Sequence, residues 1–318
     1  AIAPGIDILK AGGNAVDAAI AACATLCVVE PAMTGIGGDC FALYSPAGST
    51  KPLALNGSGR APKAASVDAI KAKGFDVIEV QSAHAVTIPG AIAAWTKLNN
   101  DHGSKPIQEL LAPAISYAEN GFPIMHRVGI DWADLTPKLL ADDVSSKVLL
   151  KNGRAPKIGT IFSQPLLGAT LKKVASQGRS GFYQGEVAKD IVNRLNSLGG
   201  LHTLADFEEC QAEYVVPIST EYKKHQVHEC PPNGQGICAL IILNILSRHD
   251  IKRMNEVDQI HLLAEATKLA YHQRNLYISD PSFSKIPVEW LLSDKHTDQL
   301  SEMINLDTAS NIDGLKFP

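Results

Sequence analysis

Residues 31–48 read PAMTGIGGDCFALYSPAG, and residues 53–62 read LALNGSGRAP. The apolar runs at 41–44 and 52–55 predict two short strands, and glycine-rich turns stand at their ends. The helix predicted before them and this strand pair are expected to form one packed unit. The stretch therefore predicts a rigid loop-bearing hairpin around which the chain is organised.

The glycines of this stretch predict a backbone that approaches another group closely. Gly35, Gly37 and Gly38 can adopt positive φ, and Arg60 is the first charged side chain after the strand pair. This arrangement suits a small anion, although many hairpins of this kind bind nothing. It is not a nucleotide loop, because no lysine follows the glycines and Cys40 stands where a dinucleotide-binding loop has its third glycine.

The amino-acid composition excludes several classes of function. The 318 residues are 45% hydrophobic and 19% charged, which predicts a large buried core. The net charge of −4 offers no electrostatic footprint for nucleic acid. No apolar run reaches about 18 residues, so we expect no membrane span. The six cysteines show no zinc-ligand spacing, and we expect buried thiols, no metal and no organic cofactor.

Helical periodicity accounts for much of the chain. Asn14 is predicted to cap a helix that ends before Pro31, and further helices are predicted at 107–120, ending at Gly121, and at 257–277. The first of these should bury Val16, Ala19, Ile20, Cys23 and Cys27. The last should bury Ile260, Leu263, Ala264, Thr267, Leu269, Ala270 and Tyr271.

Strands and loops are predicted in the second half of the chain as well. Runs at 215–219 and 222–229 are typical of strands, and the loop at 231–236 precedes a helix. Its exposed backbone N–H groups could serve an oxyanion or a substrate, and a purely structural turn is an equally good interpretation. No linker or charge run marks a boundary, so we expect one domain over residues 1–318.

Several motifs resemble one enzyme family. Gly-Gly-Asn-Ala-Val-Asp-Ala-Ala at 12–19 and Thr-Gly-Ile-Gly-Gly at 34–38 resemble the opening of the large subunit of γ-glutamyltransferases (γ-glutamyltranspeptidases). Further matches follow in the family's order at Ala61-Pro62, Val86 to Gly90, Tyr117 to Gly121, Gly181 to Gly185, Leu204 to Phe207, Pro231-Pro232, Asn244 to Leu246, Glu265-Ala266, Arg274 and Asp280-Pro281.

The resemblance implies an α+β fold, the αββα sandwich of the N-terminal nucleophile hydrolases, completed by a second, small subunit. In that family the precursor cuts itself, and the new N-terminal threonine of the small subunit is the nucleophile, with its α-amine as base. No Thr-Thr-His segment of that kind is present, and the chain ends at 315–318, where the large subunit's tail is expected. We therefore expect a large subunit with no catalytic residue of its own.

One departure concerns the substrate. In typical family members an arginine four residues before the Ala-Pro pair holds the substrate's α-carboxylate. That position is Gly57 or Ser58 here, and the nearby arginine is Arg60. The segment resembles relatives that hydrolyse other amides, such as oxamate amidohydrolase-like and cephalosporin acylase-like members. We predict that Arg60 and Ser58 bind the substrate, with a structural ion pair as the alternative for Arg60.

The resemblance thus predicts a heterodimeric amidohydrolase or γ-glutamyltransferase that cleaves an amide through a threonine acyl-enzyme. The substrate is expected to be a small carboxylate-bearing amide such as oxamate, or a glutathione-like γ-glutamyl donor. The alternatives are a cephalosporin acylase-like enzyme and an inactive homologue that acts as a binding protein. We expect a small subunit from the same precursor, a dimer of heterodimers and a cytoplasmic location, with the periplasm or secretion open because the native N-terminus is not seen.

Overall fold

The computed structural model describes residues 1–311, which divide into two compact units. The first unit holds Ala1–Cys40 and Gly57–Glu213, and the second holds Phe41–Asn56 and the chain from Tyr214 onward. That residues 1–318 are the large subunit of one sandwich domain stays a prediction. The expected tail at 315–318 lies outside the described residues.

Helices dominate both units. Those of the first unit are α1 (Ile2–Lys10), α2 (Ala15–Val29), α3 (Val67–Ala72), α4 (Ala91–His102), α5 (Ile107–Asn120), α6 (His126–Leu140), α7 (Asp143–Leu149), α8 (Pro165–Gln177), α9 (Ser180–Tyr183), α10 (Gly185–Ser197) and α11 (Leu204–Glu209). Those of the second unit are α12 (Gly236–Leu246), α13 (Glu256–Tyr277), α14 (Val288–Leu291) and α15 (Asp294–Glu302). Short 3₁₀ turns lie at Ala83–Ala85 and Ile251–Arg253.

The strands are short. They are β1 (Cys40–Tyr44), β2 (Leu53–Gly57), β3 (Phe122–Pro123), β4 (Ile161–Phe162), β5 (Glu213–Val215), β6 (Ile218–Tyr222) and β7 (His225–Glu229). β2 lies between β1 and β5 in a three-stranded sheet, while β3 pairs with β4 and β6 pairs with β7, both antiparallel. The predicted strand pair is therefore confirmed, and the two strands predicted at 215–229 resolve into three.

The start of α2 contains a buried carboxylate with many hydrogen bonds. Asn14 and Asp17 form a capping box, as Asn14 Oδ1 accepts from the Asp17 N–H at 3.1 Å and Asp17 Oδ2 accepts from the Asn14 N–H at 2.9 Å. Asp17 is fully buried and also accepts from the Ser104 hydroxyl at 2.5 Å and from the main-chain N–H groups of Ser104 and Lys105. The carboxylate thus ties α2 to the loop between α4 and α5.

These bonds set the ionisation of Asp17. Burial by itself would raise the pKa of the carboxyl, but the hydrogen bonds from Ser104, Asn14 and Lys105 outweigh it and lower the pKa. The carboxylate is consequently the form that the fold stabilises.

The predicted buried face of α2 is partly wrong. Val16, Ile20 and Cys27 are buried, whereas Ala19 and Cys23 are exposed. The helix packs against α1, α4 and α5, and these contacts bury the face that carries Asp17, Ala21 and Ala24 as well. Because almost every side chain of α2 is small and apolar, its sequence does not distinguish the buried side from the exposed one.

Helix α5 matches its prediction in both bounds. Leu110, Leu111 and Ala114 are fully buried, and α5 packs between α2 and α8. The helix ends at Gly121, whose φ of 88° lies in the region that glycine adopts at low cost.

The second unit is built around α12. Ile237, Ile241 and Ile245 are buried against α13, α15 and the β6–β7 hairpin. The face predicted for α13 is wrong in part, since Leu269 and Ala270 are buried but Ile260, Leu263, Ala264 and Tyr271 are exposed. The buried side includes Leu262, Glu265, Ala266 and Gln273 instead. Across residues 1–311, every helix is too short or too polar to cross a membrane.

We predict that Asp17→Asn lowers the free energy of unfolding by about 2–4 kcal/mol at pH 7, because an amide cannot accept from every donor that surrounds the carboxylate. The folded-state pKa of Asp17 is lowered, so its contribution is fully present above the unfolded value near 3.8 and is lost as the pH falls through the lower folded value.

Thermal unfolding of the native protein between pH 7 and pH 3 measures both effects. The variant should be less stable at pH 7 and lose less stability on acidification. Asp7→Asn is the control, because the Asp7 side chain is 73% exposed. Equal losses in the two variants would contradict the assignment.

Candidate functional site

The end of β2 is held against the segment before α4. The Ile88 N–H donates to the Arg60 carbonyl oxygen at 2.9 Å. A Cβ atom added to Gly59 would lie 1.4 Å from the Ile88 carbonyl oxygen, and one added to Gly90 would lie 2.0 Å from the Gly57 carbonyl oxygen. Since both distances are below the 3.0 Å at which a neighbour must move, only glycine fits these two positions.

Gly38 and Asp39 also bind to these two backbone segments. Asp39 Oδ1 accepts from the Gly59 N–H at 3.1 Å, and the Gly38 carbonyl oxygen accepts from the N–H groups of Gly90 and Ala91, each at 3.0 Å. Main-chain and carboxylate bonds thus fix the backbone from which the next side chains project.

Tyr183 supports this backbone from the core. Its hydroxyl donates to the Pro89 carbonyl oxygen at 2.6 Å and accepts from the Ala93 N–H at 3.0 Å. The Cys210 thiol donates to the same Pro89 oxygen at 3.5 Å. Burial raises the pKa of both groups, so the hydroxyl and the thiol stay protonated as donors.

A cavity of about 310 Å³ opens beside Arg60. Both residues predicted to bind substrate, Arg60 and Ser58, line its wall. The structure therefore brings them together. The other lining residues are Ala61, Lys63, Ile88, Asp206, Glu209, Cys210, Gln211, Ala212 and Glu213.

Two ion pairs stand at this cavity. Arg60 Nη2 lies 3.2 Å from Glu213 Oε1, and Lys63 Nζ lies 2.6 Å from Glu209 Oε1. All four side chains are more than half exposed. Pairs this exposed contribute at most about 1 kcal/mol, so a ligand carboxylate can replace either glutamate at small cost.

Asp206 anchors the acidic side of the cavity. Its carboxylate accepts from the Lys63 N–H at 3.1 Å and from the Thr203 hydroxyl at 2.6 Å, and it completes the capping box of α11. Burial would raise the pKa of Asp206, but the bonds from Thr203 and Lys63 lower it. The ionised carboxylate is therefore a structural acceptor that positions Lys63.

Sequence reasoning missed the residues that face Arg60. Glu209 and Glu213 lie about 150 positions away, two and six residues after the Leu204–Phe207 motif, and nothing in that motif indicated that they face Arg60 and Lys63. The sequence could have indicated Lys63 as a site residue, because it follows Arg60 by three residues on the same short turn-rich segment.

The glycine loop differs from its prediction. Gly35, Gly37 and Gly38 do not have positive φ, and a Cβ atom at Gly35 or Gly37 would meet nothing within 4 Å. The loop lines a concavity of about 420 Å³ with Met33 and Asp39 among its residues. The loop contributes the Gly38 carbonyl oxygen, which accepts the hydrogen bonds from Gly90 and Ala91, and it has no strained backbone.

The loop at 231–236 in the second unit uses its polar side chains within that unit. Asn233 Oδ1 accepts from Asn56 Nδ2 at 2.9 Å, and Gln235 Oε1 accepts from Arg274 Nη1 at 2.8 Å. Its role as an oxyanion or substrate loop stays a prediction. Among residues 1–311 no three His, Cys, Asp or Glu side chains form a group that could hold a metal ion.

Comparison with known proteins assigns the family. The sequence profile of the family described as Gamma-glutamyltranspeptidase matches residues 1–316.

The chain belongs to the gamma-glutamyltranspeptidase family.

Two curated relatives illustrate its range. The chain is 36% identical to a Glutathione hydrolase-like YwrD proenzyme of Bacillus subtilis, over 93% of this chain and 57% of that protein. It is 32% identical to an Oxamate amidohydrolase proenzyme of Klebsiella pneumoniae, over 98% of this chain and 60% of that protein. The chain thus spans less than two thirds of these gamma-glutamyltranspeptidase relatives.

Solved structures agree with this membership. A gamma-glutamyltranspeptidase of Helicobacter pylori superposes with a TM-score of 0.90 at 29% identity, over 98% of this chain and 91% of that one. A cephalosporin acylase of Bacillus halodurans superposes with a TM-score of 0.88 at 38% identity, over 95% of this chain and 57% of that one. The predicted α+β fold of the N-terminal nucleophile hydrolase class is confirmed.

We predict that Gly59→Ala destabilises this gamma-glutamyltranspeptidase family member by about 1–3 kcal/mol or more, because its methyl group would overlap the Ile88 carbonyl oxygen. Gly37→Ala is the matched control and should change stability by less than about 0.5 kcal/mol, since nothing lies within 4 Å of the added atom. Differential scanning calorimetry of the purified protein compares them. An unchanged melting temperature for Gly59→Ala would refute the close approach.

Proposed function

We propose that this chain is the large subunit of a self-processed, two-chain amidohydrolase, with the nucleophilic threonine on a small subunit from the same precursor. The observation that carries the proposal is the arginine-lined cavity in a chain that matches slightly more than half of two relatives named as proenzymes. Neither Arg60 nor Ser58 is assigned a covalent role. Both are assigned to substrate binding.

The reaction follows from the chemistry of an N-terminal threonine. Its α-amine takes the hydroxyl proton as the oxygen attacks the amide carbonyl carbon, and the leaving amine carries a proton away. Water then attacks the resulting ester and releases the acid, or an amine does so and the acyl group is transferred. This chain's part is to hold the substrate so that the carbonyl carbon meets the nucleophile.

Arg60 is the residue proposed to hold the substrate carboxylate. A guanidinium offers two parallel N–H donors that match a carboxylate, and Arg60 Nη2 already donates to one carboxylate oxygen, Glu213 Oε1, at 3.2 Å. A substrate carboxylate replaces Glu213, while Lys63 adds a second positive charge at the same wall. Such a fork fits any small carboxylate. The 32% identity to an oxamate amidohydrolase proenzyme supports a small carboxylate-bearing amide of the oxamate type, and the hydrolase names of both relatives favour hydrolysis.

A second candidate is supported by the relatives. The chain is 36% identical to a glutathione hydrolase-like proenzyme and 38% identical to a cephalosporin acylase. A glutathione-like γ-glutamyl donor and an acylase substrate both carry a carboxylate for Arg60 to bind. Binding of a carboxylate at Arg60 is thus common to all of these candidate substrates, and they differ in the acyl group that is cleaved.

The surface of α13 supports the presence of a second chain. Val257, Ile260, Leu263 and Tyr271 are 75%, 63%, 49% and 45% exposed, although they recur at helical spacing. A helix with an apolar stripe on its exposed side is typical of a surface that another chain covers. The dimer of heterodimers and the cytoplasmic location stay predictions.

Intact mass and N-terminal sequencing of every chain in the native protein test the two-chain proposal. We expect a second, smaller chain that begins with threonine. A native protein that retains activity as one uncut chain would overturn it. A protein with neither a threonine-led chain nor amidase activity would instead be an inactive homologue that acts as a binding protein.

We predict that Arg60→Ala lowers kcat/KM on oxamate, or on the best carboxylate amide found, by about 10- to 100-fold, mainly through KM, because a charged hydrogen bond contributes about 1.5–3 kcal/mol. Activity on oxamide, which lacks the carboxylate, should change little. Steady-state kinetics with glutathione, a γ-glutamyl anilide, oxamate and oxamide measure these effects.

Glu213→Gln separates substrate binding from a structural ion pair. If Arg60 binds substrate, Glu213→Gln should keep or lower KM, because it removes a competing carboxylate. If the pair is only structural, Glu213→Gln and Arg60→Ala should cause the same loss on every substrate. Arg127→Ala is the control, since it removes a 78% exposed arginine from a surface pair with Asp131. An Arg60→Ala enzyme with unchanged kcat and KM would refute the assignment.

A further inference from the structure

The string Gly-Arg-Ala-Pro-Lys occurs twice, at 59–63 and at 153–157. No wider similarity surrounds the two copies. Each copy nevertheless contributes its arginine and its lysine to the wall of a cavity in the first unit. The two copies differ in whether acidic side chains lie next to the arginine and the lysine.

The first copy is neutralised by the protein itself. Arg60 and Lys63 lie against Glu213 and Glu209, as described above. In the second copy, neither Arg154 nor Lys157 makes an ion pair with any carboxylate within residues 1–311. The second cavity encloses about 560 Å³, and its nine lining residues include three cations and no acidic side chain.

A tight turn places two of these cations side by side. Lys151 and Arg154 exchange main-chain hydrogen bonds at 2.8 and 3.2 Å across Asn152 and Gly153, which both have positive φ. Residues paired in this way point their side chains to the same face. Like charges directly opposite each other are unfavourable, so the turn gains stability from an anion that both can contact.

A second turn fixes the third cation. Thr160 donates to the Lys157 carbonyl oxygen through its hydroxyl at 2.6 Å and through its N–H at 3.1 Å. Ile124 holds this turn, as its N–H donates to Thr160 at 3.0 Å and its carbonyl oxygen accepts from Gly159 at 2.8 Å. Main-chain hydrogen bonds thus fix both turns that carry the three cations.

The floor of this cavity is apolar. Phe162 packs edge-on against Trp132, with ring centroids 4.8 Å apart, and Pro156 beside it is buried. Ile161 also lines the cavity, although it is 64% exposed. Such a floor contacts carbon atoms of a ligand, whereas the cations at the wall contact its anionic groups.

We propose that the cavity formed by Lys151, Arg154, Lys157 and Phe162 binds a small organic polyanion. Its volume lies within the range of small-molecule sites. The ligand carries at least two negative charges for the three cations and an apolar or aromatic part for Phe162. Phosphate esters and polycarboxylates share this chemistry.

Isothermal titration calorimetry of the complete native protein at low ionic strength tests the site. The probes are adenosine 5′-diphosphate, pyrophosphate, citrate and inorganic phosphate. We expect saturable binding that weakens with salt, because the cations are exposed. Adenosine diphosphate should bind more tightly than pyrophosphate if the Phe162 floor contacts the ligand. Tightest binding of citrate would identify a polycarboxylate as the ligand class.

Variants locate the binding. Arg154→Gln combined with Lys157→Gln should weaken binding of the best probe by about 5- to 30-fold, while Lys138→Gln combined with Lys147→Gln removes the same charge outside the cavity and should change it less than twofold. Arg60→Gln tests for binding at the first cavity. The proposal is overturned if no probe binds, if both double variants weaken binding equally, or if only Arg60→Gln abolishes it.

Discussion

The contact between the Gly57–Arg60 backbone and the Ile88–Gly90 backbone is the constraint on which the Arg60 cavity depends. No side chain fits between the two segments, since a methyl group on Gly59 or Gly90 would overlap a carbonyl oxygen. The Gly38 carbonyl oxygen accepts main-chain bonds from Gly90 and Ala91, and the buried Tyr183 hydroxyl donates to Pro89, so the Ile88–Gly90 backbone is held from both sides. The backbone that carries Arg60 is therefore fixed by close main-chain contacts, which is the kind of support that a precise binding site needs.

The acidic side of the cavity is positioned by side-chain hydrogen bonds rather than by close backbone packing. The capping box of α11 fixes Asp206, and the bond from the Lys63 N–H joins that helix to the turn after Arg60. Arg179 donates to the Cys210 carbonyl oxygen at 2.9 Å and lies over the Tyr183 ring. These contacts hold the segment that carries Glu209 and Glu213, so the two ion pairs depend on one short, well-anchored stretch.

Local signals predicted local structure well. The Asn14 cap, both bounds of α5 and the turn at Gly121 follow from propensity and capping, and they were found as predicted. Motif order also identified the family and its fold. Burial of α2 and α13 could not be predicted, because both helices carry apolar residues on more than one side. The glutamates that face Arg60 and Lys63 could not be found either, since they are distant in sequence and are brought near only by tertiary packing.

The pairing of Arg60 with Glu213 gives the cavity a built-in competitor. A side chain attached to the same fold acts on its partner at an effective concentration in the millimolar range or above, regardless of what the solution contains. A monovalent ion such as chloride offers a single point of contact and displaces the glutamate poorly. A carboxylate that accepts two parallel bonds, and whose attached groups fill the cavity, displaces it more readily. Because so exposed a pair contributes at most about 1 kcal/mol, Glu213 weakens the binding of a competing anion at Arg60 by about fivefold or less.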